Sequence, residues 1–140
     1  MNRQVSIPSV LDLNGTVDLQ SGDLNHQCFF AGKGVERGLG QVEVWAEVTG
    51  ELTRDYLGVH CITGEGLVRI LAGSQNILQM RLEFTTPIVP GKGPPFAFSG
   101  TVVVVRGRGE FSGIQGGGII VGHDYRNGII SFHIDGSLRN

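Results

Sequence analysis

The chain has 140 residues, 40% of them hydrophobic and only 17% charged, with a formal net charge of -2; that is enough chain for one buried core, with less charge than the usual ~25%. Lysine and arginine form no basic stripe, which argues against a nucleic-acid partner, and no apolar run reaches the roughly 18 residues of a membrane-spanning helix. Cys28 and Cys61 are too few for a disulfide framework and have no metal-ligand spacing, so neither a bound metal nor a cofactor is expected.

The opening MNRQVSIPSVLDL lacks the continuous apolar region of a signal peptide, which leads us to expect two buried free thiols in a reducing, cytoplasmic compartment. The first strand signal follows in LDLNGTVDL, where Leu11, Leu13, Val17 and Leu19 alternate with Asp12, Asn14, Thr16 and Asp18. A second strand is read over 24–31. The third is QVEVWAEV, with Val42, Val44, Ala46 and Val48 opposing Gln41, Glu43, Trp45 and Glu47. A fourth is read over 56–62. The stretch GEGLVRILAGSQN after it is interrupted by glycine and predicts at most one helical turn or another short strand. The clearest alternation is ILQMRLEF, where Leu78, Met80, Leu82 and Phe84 face one way and Gln79, Arg81 and Glu83 the other. Strands over 96–106 and 118–122 follow. The chain closes with IISFHIDGSL, and Asn127-Gly128 before it is a hairpin signal of type I′.

About eight strands joined mostly by tight turns, with no helix to cover their apolar face, predict an all-β, eight-stranded antiparallel up-and-down β-barrel. Residues 1–140 form a single domain in this reading, since closure buries one face and removes the edges. The glycines number 23 without a three-residue period. In GRGEFSGIQGGGIIVG they run into an apolar strand, not a helix, and no GxxxxGK followed by Ser or Thr occurs. They therefore read as strand corners and bulges, not as a phosphate loop.

The C-terminal segment FSGTVVVVRGRGEFSGIQGGGIIVGHDYRNGIISFHIDGSL resembles the end of allene-oxide-cyclase-like barrel proteins, the group that includes the plant dirigent proteins. The similarity lies in a strand ending in glycine, a GxGxFxGxxGxG-like stretch, a hairpin and a last strand finishing in DGSL. The resemblance implies a calycin-like barrel, often a dimer or trimer, whose mouth binds a small hydrophobic molecule. In its enzymatic members the barrel guides ring closure mainly by shape. The first 95 residues carry no motif of the group, and no catalytic residue is transferred.

The residues themselves supply the site candidates. The polar faces would put Asp12, Asp18, Glu43, Glu47, Arg81, Glu83, His133 and Asp135 into a narrow lumen, so the apolar faces point inward. In LNHQCFFAG, His26, Cys28 and Phe30 share the inward face, and an imidazole beside a thiol can act as acid, base or nucleophile. In DYLGVHC either Tyr56 and His60 point inward, or Leu57, Val59 and Cys61 do. His26, Cys28, Tyr56 and His60 are thus the catalytic candidates. Phe30, Cys61, Met80, Phe84, Phe96, Phe98 and Phe132 are the substrate-binding candidates. His133 and Asp135, two apart on a strand, are too far separated for a direct bond and are assigned to the surface. Trp45 among glutamates points to a subunit contact and a homo-oligomer.

PIVPGKGPPF, residues 87–96, cannot continue a ladder and is the longest connection, which suggests a lid over an aromatic-lined mouth. The function expected is a cyclase or isomerase that folds a polyene, polyketide or terpenoid-like substrate inside the barrel. The alternatives are a non-catalytic carrier of a hydrophobic ligand and a structural oligomeric barrel.

Overall fold

Period-two alternation puts apolar side chains on one face of each strand, and a single helix-free sheet can bury such a face only by closing on itself. A computed structural model, which describes residues 7–23, 27–54 and 57–140, shows that closure. The strands are β1 (Val10–Ser21), β2 (Cys28–Glu36), β3 (Gly40–Arg54), β4 (His60–Ala72), β5 (Asn76–Pro87), β6 (Phe96–Arg108), β7 (Gln115–Asp124) and β8 (Ile129–Arg139). Each pairs antiparallel with its neighbours in sequence, and β8 returns to β1 to close an eight-stranded up-and-down barrel. Among the described residues the helical element is one 3-10 turn, Gly109–Phe111.

The strands run longer than the alternation alone suggested. β2 begins later than expected and continues to Glu36, while β4 extends through LVRILA, which the glycine-interrupted reading left as a turn or short strand. The reason lies across the sheet: the ring of Phe84 of β5 fills the space that Gly64 leaves, and the main chain of β3 at Glu47 and Val48 closes over Gly66, so the glycines do not interrupt the ladder. The hairpin between β7 and β8 is present but is not the expected type I′ turn. Arg126 (φ 59°) and Gly128 (φ 90°) take the left-handed conformations, and Asn127 does not. Asn127 instead accepts the Ile129 N–H on its side-chain oxygen at 3.1 Å.

The two ends of the barrel differ. Connections 37–39, 73–75 and 109–114 gather at one end with the start of β1 and the end of β8. There the 3-10 turn carries Phe111, fully buried, into the core cluster that includes Leu11, Leu13, Met80 and Ile134. The carboxylate of Glu36, also 0% exposed, ties this end together. It accepts the N–H of Asp12 at 2.8 Å, of Gly38 at 2.5 Å and of Leu39 at 3.0 Å. Such charge-assisted bonds offset the cost of burying the charge. The expectation that ionisable groups stay off the inward face thus fails at Glu36, where main-chain donors surround the carboxylate. The described residues of the other four connections, 22–23, 27, 57–59, 88–95 and 125–128, lie at the opposite end.

Candidate functional site

The half of the barrel beneath those four connections is hollow. A cavity of about 260 Å³ runs from the middle of the lumen to the mouth, lined almost entirely by aliphatic and aromatic side chains. Five of them are phenylalanines: Phe30 of β2, Phe84 of β5, Phe96 and Phe98 of β6, and Phe132 of β8. Phe84 and Phe98 meet edge to face, with ring centroids 6.2 Å apart, a favourable geometry for aromatic pairs.

The space exists because of what stands opposite these rings. Phe132 lies between Gly15 of β1 and Gly122 of β7. Phe98 also faces Gly122, and Phe84 lies between Gly64 of β4 and Gly100 of β6. The rings occupy the room of the absent side chains: a Cβ added at Gly15 would fall 2.6 Å from Cζ of Phe132, and one at Gly122 would fall 2.5 Å from Cζ of Phe98. A Cβ at Gly64 would run into the ring of Phe84. The aromatic rings therefore lie along the wall, and the lumen between them stays open.

Three polar residues interrupt this lining: Thr86, Asp124 and Arg126. Asp124 ends β7 on the inward face set by Ile120 and Gly122, and its side chain is 25% exposed. Its Oδ1 accepts the Arg126 N–H at 2.8 Å, while Oδ2 stands 3.8 Å from Arg126 Nη1. The Arg126 guanidinium carbon lies 6.0 Å from the centre of the Phe96 ring, at the limit of cation–π contact. One acidic and one basic side chain thus stand together at the mouth of a cavity that is otherwise apolar but for Thr86. Asp124 was legible in the alternation of IIVGHD had the strand been followed two residues further. Arg126 was not, since its position depends on the left-handed turn.

Of the catalytic candidates among the described residues, Cys28 and His60 do not line this cavity. His26 and Tyr56 lie outside the described residues. Cys28 is buried and does not line the cavity; burial, and then the negative charge of Asp23, push its thiol above the ordinary value of 9.0, which keeps it protonated and a poor nucleophile. His60 is exposed at the start of β4, where its carbonyl accepts the Ile88 N–H at 3.0 Å. Cys61 is buried away from the cavity, its Sγ 3.3 Å from Thr53 Oγ1. Register is the cause: Ile62 and Gly64 take the inward positions of β4, so Cys61 faces outward. Met80 is 0% exposed but sits deeper, in the packed half.

The 88–95 connection contributes Ile88 to the lining, continuing the inward face of Thr86, while Val89 and the residues after it stand in solvent. On the outer wall, His133 bonds not with Asp135 but with Asp12 of β1, Nε2 to Oδ1 at 2.8 Å. Trp45 is 51% exposed there, opposite Arg69 of β4. Among the described residues no group of three or more His, Cys, Asp and Glu side chains converges as a metal site, and no helix is long and apolar enough to cross a membrane. Compared with protein-family models, with curated proteins and with solved structures, the chain finds no match.

Proposed function

We propose that the barrel binds a small apolar molecule carrying one polar end, with the apolar part in the lumen and the polar end at Asp124 and Arg126. The observation that carries this reading is the cavity itself, apolar except for Thr86 and a paired acidic and basic side chain at its mouth. Ligand sites of this kind use an apolar wall for affinity and a few polar groups for orientation. The volume bounds the occupant: a dry cavity of ~150 Å³ accepts benzene, so this one accepts about ten non-hydrogen atoms. A terpenoid or compact aromatic of that size fits, whereas a long polyene would have to protrude. A hydroxyl or carbonyl suits the mouth better than a full negative charge, since Asp124 would repel an anion that Arg126 attracts.

Cyclisation or isomerisation of that molecule is the second reading, and Asp124 favours it. A confined substrate is held with its reacting atoms close, and the Asp124 carboxylate is an inward-facing group able to take up or return one proton. Transport alone needs no such group. Native mass spectrometry of protein purified from its own host tests the binding reading. A retained compound of about this size supports it, and protein that neither retains nor takes up any apolar compound removes it. Given that compound, an Asp124→Asn variant that still binds but no longer converts it supports catalysis, and equal conversion by both proteins removes Asp124 from the chemistry.

A further inference from the structure

We infer that Gly15 and Phe132 together act as the size selector of the cavity, admitting a flat two-ring molecule and excluding larger ones; this rests on the reading of the lumen as a binding site. Phe132 is a lining residue whose ring lies over Gly15, its cross-strand partner. On its other side stands Gly122, where the ring of Phe98 and the Ser131 carbonyl already fill the space. The Phe132 ring is therefore held against the wall only as long as position 15 has no side chain. Displaced from there, it moves into the cavity that it lines.

Gly15 differs from the other two ring-bearing glycines in what a side chain would meet. At Gly64 and Gly122 an added Cβ strikes main-chain carbonyls, of Thr49 and Ser131, which cannot move without shifting a strand. At Gly15 the nearest atoms are Cζ and Cε1 of Phe132, at 2.6 and 2.9 Å, and the nearest main-chain atom, the Lys33 carbonyl oxygen, is 3.1 Å away. A methyl group here is accommodated by rotation of one aromatic ring and a shift of a few tenths of an ångström at the Lys33 carbonyl. The wall adjusts by no more than that, and the cavity narrows. Position 15 thus controls volume without controlling the fold, which is the property of a specificity residue.

The test uses three soluble aromatic alcohols of increasing size, phenol, 1-naphthol and 9-phenanthrol, titrated calorimetrically into the whole protein. The wild type is expected to bind 1-naphthol best. Gly15→Ala should lose 1-naphthol affinity by about 10- to 200-fold, the range for a misfit in an apolar pocket, while phenol binding changes little. Phe132→Leu should gain 9-phenanthrol, and Gly15→Ala combined with Phe132→Leu should recover 1-naphthol. If Gly15→Ala does not fold, the two variants carrying Phe132→Leu decide the matter, since neither holds the ring that an alanine at position 15 would strike. An unaltered order of probe sizes in every folded variant, with wild-type binding intact, overturns the selector. A wild type that binds none of the three overturns the binding reading and the selector with it.

Discussion

The closed and open ends of this barrel share the same eight strands yet are finished in different ways. At the closed end Phe111 and Ile114 fold inward from the β6–β7 connection, and the Glu36 carboxylate collects main-chain donors from β1 and from the β2–β3 turn. At the open end Phe84, Phe98 and Phe132 lie over glycines, and the described residues of the connections above them are largely exposed. Stability is thus concentrated where the side chains fill the lumen, and room for a ligand is found where glycine takes the place of a side chain. Small barrels are usually either filled or left hollow for one ligand; here each half follows one of the two patterns.

The largest expected effect tests the division directly. Phe111→Ala should cost about 3–5 kcal/mol of unfolding free energy, the usual range for a fully buried phenylalanine, while Phe96→Ala at the mouth should cost under ~1 kcal/mol. Urea denaturation measures both, and equal losses would erase the contrast. Glu36→Gln should cost about 1–3 kcal/mol, because an amide group then presents donors to main-chain donors. Its probe binding should stay at the wild-type level, since Glu36 is remote from the cavity lining.

Arg126→Ala sharpens the comparison from the other side. It should weaken 1-naphthol binding by about tenfold, the worth of one good polar contact, and alter stability by no more than ~0.5 kcal/mol. Unchanged affinity would take Arg126 out of recognition. A smaller effect is expected with pH. The folded-state pKa of Cys28 is raised, so above pH 9.0 the unfolded chain releases a proton that the native protein keeps. Stability therefore falls as pH rises through that window, and Cys28→Ala should flatten the fall in thermal melts between pH 8.5 and 10.5, roughly the range around an ordinary thiol. A wild-type curve flat over the same range would count against the burial of this thiol. The smallest effect is expected for deletion of 91–93, which should leave the melting temperature nearly unchanged while altering the rate of probe entry past Ile88. Identical entry rates would make the connection a plain linker.

The fold was legible in the sequence because period-two alternation needs no long-range information. Leu78, Met80 and Leu82 announce their face by spacing alone, and eight such segments without a helix leave closure as the way to hide that face. The aromatic lining was legible in part: Phe30, Phe84, Phe98 and Phe132 fall on inward positions by the same count, whereas Cys61 was separated from the lumen by a choice of register that DYLGVHC left open. The glycines read as corners, and their use as beds for aromatic rings was invisible, since Gly15 and Phe132 are far apart in the chain and meet only where β8 closes on β1. The pairing of His133 with Asp12, the burial of Glu36 and the placing of Arg126 over the mouth have the same origin. The sequence by itself determined which face is buried in the strands with clear alternation, because that depends on neighbours two residues away. Only the tertiary structure decided where the lumen is full and where it is hollow, because that depends on which side chain stands opposite which gap.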